Sequence, residues 1–429
     1  MRNEIRDKNR DRSYLSLLRV NPAKGVIKML KFFGIAGGII LIYLVAIIIV
    51  QGPVTAFREI IYRKPGLDTL GRFFPARTVL NSKPVSELVY GSSKNFPVLV
   101  TFRYNGVLRT EPLKDLLAET KTKAFVVIRN DQIIYESYLN GARRDSLNIS
   151  WSVAKSVTSA LMGIAIDEGK IGSINDAVIR YVPELEGHGF DKLTIRDLLT
   201  MSSGIRYYDI EDNIFFLAIA FEEGSRQTYG PDLRQQLLNL VKSDYPVGKY
   251  FQYNDYNSLL EGLILERVTG GHVSDYLQEK LWKPMGMEYS AAWTLDNEKD
   301  GFEKVNCALN AGAVDFARFG LLYLHRGFWN GKRIISEKWI SESTEPDPND
   351  KRPWKNYIRW RNAGGFYKYH WWGLQFPDGT YDFMALGVLG QVIYVSPRHN
   401  TVVVRFGEEP DPRIIWPMII HSLVKSIPQ

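Results

Sequence analysis

The chain has 429 residues, enough for one large domain or for two modest ones sharing a core. It is 45% hydrophobic and 24% charged, which excludes wholesale disorder, and 13% aromatic, which implies a well-filled interior. A single cysteine, Cys307, excludes an internal disulfide framework and a cysteine-based zinc site; six scattered histidines without an HExxH or HxxxH pattern give no reason to expect a metal or other cofactor.

The net charge of +7 is concentrated at the start of the chain. Residues 1–31 hold nine Lys and Arg against Glu4, Asp7 and Asp11, so this basic tail carries +6 and the remainder only +1. No basic body is left to track phosphates, and nucleic acid is not an expected partner. Residues 32–50, FFGIAGGIILIYLVAIIIV, contain no charge. As a helix they span about 28 Å, close to a hydrocarbon core, and read as one transmembrane anchor. The preceding positive charge orients the N-terminus to the cytoplasm and everything after Gln51 to the outside. A single-pass protein of the cytoplasmic membrane with an extracytoplasmic catalytic part follows, periplasmic in a Gram-negative cell. The competing reading is a signal peptide cut near Val54-Thr55-Ala56, against which the length of the apolar run and of the tail both count. Gly34 and Gly38 form a GxxxG, which offers a weak homodimer contact between such helices.

Residues 51–113 are proline-punctuated and read as an irregular extracytoplasmic extension; 114–429 read as the catalytic domain. A helix is expected at 114–120, then a hairpin from 124–128 and 132–138 around Asn130-Asp131. Helices follow at 152–167, after the capping box Thr194-x-x-Asp197, at 258–268 before Gly270-Gly271, and at 315–324. A second hairpin, 391–395 with 401–406, precedes an amphipathic terminal helix at 414–427. Strands at both ends with helices between them predict an α+β fold: one antiparallel sheet built from early and late chain, flanked by helices, with an inserted helical lobe.

Ser152-Val153-Ala154-Lys155 opens the first strong helix. Spacing i, i+3 places both side chains on one face, one turn apart. A serine hydroxyl is a poor nucleophile until a base takes its proton, and a lysine does so only when neutral. A serine in the first helical turn also lies where unpaired N–H groups favour an oxyanion. The spelling alone is not specific, since Ser422-Leu423-Val424-Lys425 repeats it in the terminal helix.

The context adds specificity. WSVAKSVTSALMGIAIDEGKI from Trp151, LTIRDLLTMSSGI at 193–205, FQYNDYNSLLEGLILERVTG at 251–270, LWKPMGM at 281–287, DFARFGLLYLHRGFWNGKRI at 315–334 and ALGVLGQVIYVSP at 385–397 resemble, in order, the segments of the serine β-lactamase-like superfamily. That superfamily includes class C β-lactamases, penicillin-binding D,D-peptidases and related esterases and amidases. The details are most similar to the 6-aminohexanoate-oligomer hydrolase subgroup, and the resemblance runs from about Leu113 to the C-terminus. It implies that Ser152 is acylated, that Lys155 is its base partner and that Tyr253 moves protons. Tyr253-Asn254-Asp255 departs from the family's Tyr-x-Asn: Asp255 stands at the motif's third place, where it could accept a hydrogen bond from Lys155 and could also hold it protonated. Ala385-Leu386-Gly387 replaces the usual Lys-Thr-Gly or His-x-Gly. The glycine is kept, so Val388 N–H with Ser152 N–H would form the oxyanion hole. The cation that grips a β-lactam carboxylate is gone, while Ala385, Gly387, Gly390 and Gln391 fit the Ala-x-Gly-x-x-Gly-Gln of the subgroup.

Other residues carry two readings each. Trp371-Trp372 line a pocket or pack in a core strand; Tyr207, Tyr208 and Asp209 border a cleft or form a solvated loop. His399 and His421 read as structural, Cys307 as a small buried hydrophobe, and Asn148-Ile149-Ser150 as a glycosylation sequon with meaning only in a eukaryotic secretory pathway. The expected function is a membrane-anchored serine hydrolase that cleaves a small-molecule or peptide amide or ester and is inefficient on β-lactams. Two alternatives stand beside it: a penicillin-binding-like sensor or scaffold that does not turn over, and a cell-wall D,D-peptidase.

Overall fold

The computed structural model describes residues 52–62, 74–207 and 227–428 apart from 95, 410 and 412, together with Gly34, Gly37, Gly38, Leu41, Val45 and Ile48. The chain divides into two compact units, 1–61 and 62–429. In the first, those six residues are helical and a helix runs Pro53–Tyr62, enclosing Val54-Thr55-Ala56. Among the described residues no helix is long and apolar enough to cross a membrane. The expected anchor at 32–50 falls mostly outside them, as do Tyr208 and Asp209.

The second unit is built on an eight-stranded sheet. Its strands are β1 (Val89–Tyr90), β2 (Thr122–Arg129), β3 (Gln132–Tyr138), β4 (Gly365–Lys368), β5 (Trp371–Gln375), β6 (Tyr381–Gly387), β7 (Gln391–Ser396) and β8 (Thr401–Gly407), in the order β4-β5-β6-β7-β8-β2-β3-β1. All pairings are antiparallel except β1 with β3. β8 pairs with β2 in the register Val403↔Val127, so early and late chain meet in mid-sheet as expected.

The strands alternate between two covered faces. Ala124, Val126, Ile393, Val402 and Val404 point into the core shared with α2 (Val153–Asp167), α3 (Asp255–Thr269) and α4 (Ala313–Leu324). Phe125, Val127, Val392, Tyr394 and Val403 point to the opposite core, closed by α1 (Leu113–Glu119) and the terminal α5 (Trp416–Ser426). Cover on both sides is why β7 reads as a continuous apolar run, and β8 as one interrupted only by Arg405, and not as polar-apolar alternation. Gly320 lets α4 lie close on the sheet: a Cβ there would come within 2.7 Å of Val402 Cγ1 and 3.0 Å of Ile393 Cγ2.

Beside the helical lobe lies a four-stranded sheet in the order Ala76–Val79, Ala291–Thr294, Leu309–Ala311, Asn148–Ile149. Part of the stretch expected to be irregular is therefore ordered: Ala76–Val79 is a strand, and Leu99–Tyr104 pairs with Val107–Pro112 as a hairpin. These strands are short or prolines flank them, and the partner of Ala76–Val79 lies more than 200 positions away, so no local pattern announces it.

Candidate active site

The small sheet delivers the nucleophile. Asn148 pairs with Ala311, and Ser150 N–H donates to Leu309 O at 2.9 Å. Trp151 then takes a left-handed conformation, φ 46°, that turns the strand into α2. A tryptophan held there is a strained position of the kind that accumulates at functional sites. Ser152 is the N-cap of α2, yet its φ and ψ are helical and its hydroxyl caps nothing. The oxygen is instead held by Lys155, whose Nζ lies 2.8 Å away. Lys155 Nζ also donates to Asn306 O at 2.8 Å and sits 2.5 Å from Asp255 Oδ1. Asn306 precedes the strand that pairs with Asn148–Ile149, so one small sheet sets both the serine and the carbonyl that orients the lysine.

Tyr253, Asn254 and Asp255 form the opposite wall, each with its own task. Asn254 is the N-cap of α3: its Oδ1 accepts from Tyr256 N–H at 2.9 Å and its Nδ2 donates to Ile205 O at 3.2 Å. Asp255 falls in the first turn of α3, where the helix dipole favours its charge. Tyr253 stays in extended chain, gripped by Asn356, which accepts from its N–H at 3.0 Å and donates to its carbonyl at 3.3 Å. Its ring centroid is 5.1 Å from Lys155 Nζ, and Lys155 and Ser152 both act on its phenol electrostatically.

The charge states follow. Lys155 is buried, 1% exposed, which by itself opposes its charge, but Asp255 and Tyr253 outweigh burial and hold its pKa above the ordinary lysine value. A protonated Lys155 donates to Ser152 and does not take its proton; this direction runs against a general-base role and is what the acid at 255 brings. Burial pushes the Tyr253 phenol up too, against the pull of Lys155, so Tyr253 is a neutral donor and acceptor.

Behind α2 and α3 lies a second buried couple. His370 Nε2 is 2.8 Å from both oxygens of Glu261, its Nδ1 is 3.0 Å from Tyr367 Oη, and Ser156 Oγ donates to its carbonyl at 2.7 Å. Burial raises the Glu261 pKa against the pull of His370.

The end of β6 closes the site. A Cβ on Gly387 would lie 2.6 Å from Ser150 O and 3.0 Å from Trp151 Cβ, so only glycine lets this strand reach the residues before the nucleophile. Val388 follows, 60% exposed, and Leu389 turns the chain with φ 62°. Two side chains fix that turn. Gln391 Nε2 donates to Val388 O at 2.9 Å and Gly407 O at 2.7 Å, while its Oε1 accepts from Gly407 N–H at 2.9 Å. Arg405, fully buried in β8, donates to Leu389 O at 2.7 Å and Gly390 O at 2.9 Å, with its guanidinium 4.6 Å from the Trp416 ring centroid. Sequence reasoning missed Arg405, although a lone charge inside TVVVRF is a signal that a buried polar partner exists. It missed Asn306 for a different reason: the contact is through a main-chain carbonyl, which has no residue signature.

Ser152, Tyr253, Gly387 and Val388 line one cavity of about 410 Å³, together with Tyr357, Trp360, Trp372 and Trp416. Of the tryptophan pair, Trp372 faces this cavity and Trp371 lies in the core. His399 accepts or donates at Ser396 Oγ, 2.9 Å, and His421 stacks on Phe376 with centroids 4.4 Å apart, both outside the cavity. Cys307 is half-buried against the cluster of Phe74, Ile149, Tyr229 and Ala308, and burial pushes its thiol up to about 11. Asn148 is buried and donates to Ser146 O at 3.0 Å, which removes the sequon from reach in the folded chain. Among the described residues one cluster has metal-ligand character, Glu266, His272 and Glu303. Arg234 already binds both oxygens of Glu266 at 2.7 and 2.8 Å, and Arg77 pairs with Glu303, so the carboxylate charge there is balanced.

A serine at a helix start, a lysine one turn on, a tyrosine–acid wall and a glycine-ended strand stand together on an α+β fold, an arrangement suited to serine acyl transfer. Residues 114–412 match the Beta-lactamase family model, and the chain belongs to that family, as a serine hydrolase of the β-lactamase and penicillin-binding-protein superfamily. It is homologous to the 6-aminohexanoate-dimer hydrolase of Paenarthrobacter ureafaciens, 28% identical over 308 residues that cover 71% of this chain and 77% of that one. A solved structure from Bacillus anthracis described as a 6-aminohexanoate-dimer hydrolase shares the fold, with a TM-score of 0.68 at 24% identity over 84% of this chain and 91% of the other. So does a penicillin-binding protein homologue from Pyrococcus abyssi, with a TM-score of 0.54 at 19% identity over 73% and 76%.

Proposed function

We propose that this hydrolase cleaves an amide or ester through an acyl-enzyme on Ser152. The observation that carries the reading is the 2.8 Å contact between Lys155 Nζ and a Ser152 hydroxyl left uncapped at the mouth of α2. Ser152 Oγ attacks the scissile carbonyl, and the N–H groups of Ser152 and Val388 receive the oxyanion. Lys155, kept protonated by Asp255, places its ammonium beside the forming bond. Tyr253 takes the serine proton while passing its own to the leaving group, so the phenol is neutral before and after. In deacylation the path reverses: water attacks the acyl carbon, its proton enters Tyr253, and the Tyr253 proton returns to Ser152 Oγ. The relative's name attaches it to an aminohexanoate dimer, whose hydrolysis cuts an amide, and this supports amide chemistry here.

With Ala385-Leu386-Gly387 in place of a cationic third motif, β-lactams and D,D-peptides are poor substrates. The polypeptide is anchored in the cytoplasmic membrane by 32–50, with its catalytic unit extracytoplasmic and a weak homodimer contact at Gly34 and Gly38. The test is intact-protein mass spectrometry after a fluorophosphonate, a penicillin and a p-nitrophenyl ester. Wild type gains one adduct on Ser152 and turns the ester over, whereas Ser152→Ala does neither. Its melting temperature stays near wild type, because the lost hydroxyl makes no cap and even a true cap is worth only about 1 kcal/mol. Tyr253→Phe lowers kcat about 10²-fold. A permanent Ser152 adduct from every reagent would establish the non-turnover scaffold instead.

A further inference from the structure

The cavity that holds Ser152 has a chemical character of its own. Among the described residues that line it, none is charged. Its walls are Tyr357, Trp360, Trp372, Ile414, Ile415 and Pro417, and the aromatic rings lock one another: Trp372 lies 5.5 Å from Tyr253, 5.0 Å from Tyr357 and 5.9 Å from Trp360, centroid to centroid. Several polar groups nearby are already committed. Gln391 spends its amide on Val388 and Gly407, Trp360 Nε1 donates to Gly373 O at 3.2 Å, and Lys155 is matched by Asp255. The mouth is apolar as well, since Val388 is 60%, Ile415 48% and Tyr357 45% exposed. A pocket of this kind gains from each methylene removed from water, and a carboxylate placed in it would lose its hydration without a partner.

We infer that the natural substrate carries an uncharged apolar chain or aryl group next to the scissile bond, held in the Trp372–Ile415 cavity, and bears no carboxylate on that side. This rests on the Ser152 hydrolase reading and narrows it. A cell-wall peptide ending in a free carboxylate, or a short oligomer with charged ends, does not fit this wall.

The test is kcat/KM on the full-length protein for p-nitrophenyl acetate, butyrate, hexanoate and the p-nitrophenyl half-ester of glutarate, with a matching series of alkyl acetates for the alcohol side. One of the two series rises about three- to fourfold per added methylene until the cavity is filled. Where the acyl series is the one that rises, the glutarate half-ester falls at least tenfold below its neutral counterpart of similar length. Ile415→Arg, at the exposed rim, raises the glutarate-to-hexanoate ratio by placing a cation over the carboxylate. Two flat series, or a preference of the wild type for the anionic ester, overturns the inference while Ser152-dependent turnover of the acetate leaves the hydrolase reading in place. Absence of Ser152-dependent turnover for every ester overturns both.

Discussion

In the proposed mechanism Ser152 owes its reactivity to what it does not do. Most serines at a helix start spend the hydroxyl on the first turn, whereas this one is turned to Lys155 by a left-handed Trp151. The lysine, in turn, is defined by Asp255, which sets the direction of its pKa. The first variant to make is therefore Asp255→Asn. Burial lowers a lysine's pKa and Asp255 raises it, so losing the acid lets burial win and the lysine becomes neutral at lower pH. If the working form is Lys155 protonated, the alkaline limb of kcat/KM moves to lower pH, and activity at the former plateau falls roughly tenfold for each unit by which the pKa drops below the assay pH. If neutral Lys155 is the base, the same variant gains activity near pH 7. A pH–rate profile decides between them. The serine, lysine, tyrosine and acid were all legible in the sequence, because each is a side chain within a recognisable spelling. That Asp255 could hold the lysine protonated was also readable from its place in the motif, whereas the 2.5 Å approach that makes it do so was not.

Elements place these residues by close approach, and glycines mark where. Gly387 brings β6 against Ser150, and Gly320 brings α4 against β7 and β8. For Gly320→Val, leaving glycine in a helix is worth up to about 1 kcal/mol, less for a β-branched residue. Forcing carbon into the space held by Val402 and Ile393 costs about 1–3 kcal/mol. Packing wins, so the variant unfolds at lower denaturant with an unchanged slope; equal or greater stability would show that α4 can slide. The two hairpins, α2, α4 and α5 were readable because their patterns are local and strongly periodic, and α3 was readable but starts three residues earlier than its apolar run because Asn254 caps it. β5 was legible only as the core-strand reading of Trp371-Trp372 and β4 not at all: GFYK and WWGLQ mix large aromatics, a lysine and a central glycine, and what makes them strands is pairing, β4 with β5 and β5 with β6, and cover by the helix Glu337–Thr344. The strand Ala76–Val79 was hidden for the same reason, its partner being remote.

At the scale of the whole chain the charge asymmetry makes its own prediction. Nearly all of the net positive charge precedes the apolar run at 32–50, so in intact cells with a sealed outer membrane the part after Gln51 resists added protease and is cut once that layer is opened. A reporter joined after Gln429 that works only in the cytoplasm would reverse the orientation. The sheet has a further consequence, in time and not in space. β2 is made early and must wait for β8, which is also the strand that carries Arg405, the brace of the turn at Leu389 and Gly390; Trp416, which lies over that arginine and walls the cavity, comes later still. Ser152 and Lys155 are thus synthesised long before the surface that would receive the oxyanion exists. A chain interrupted before Arg405 carries every letter of the proposed catalytic motif but lacks the side chain that braces the turn at Leu389 and Gly390, so it is expected to react poorly with acyl compounds.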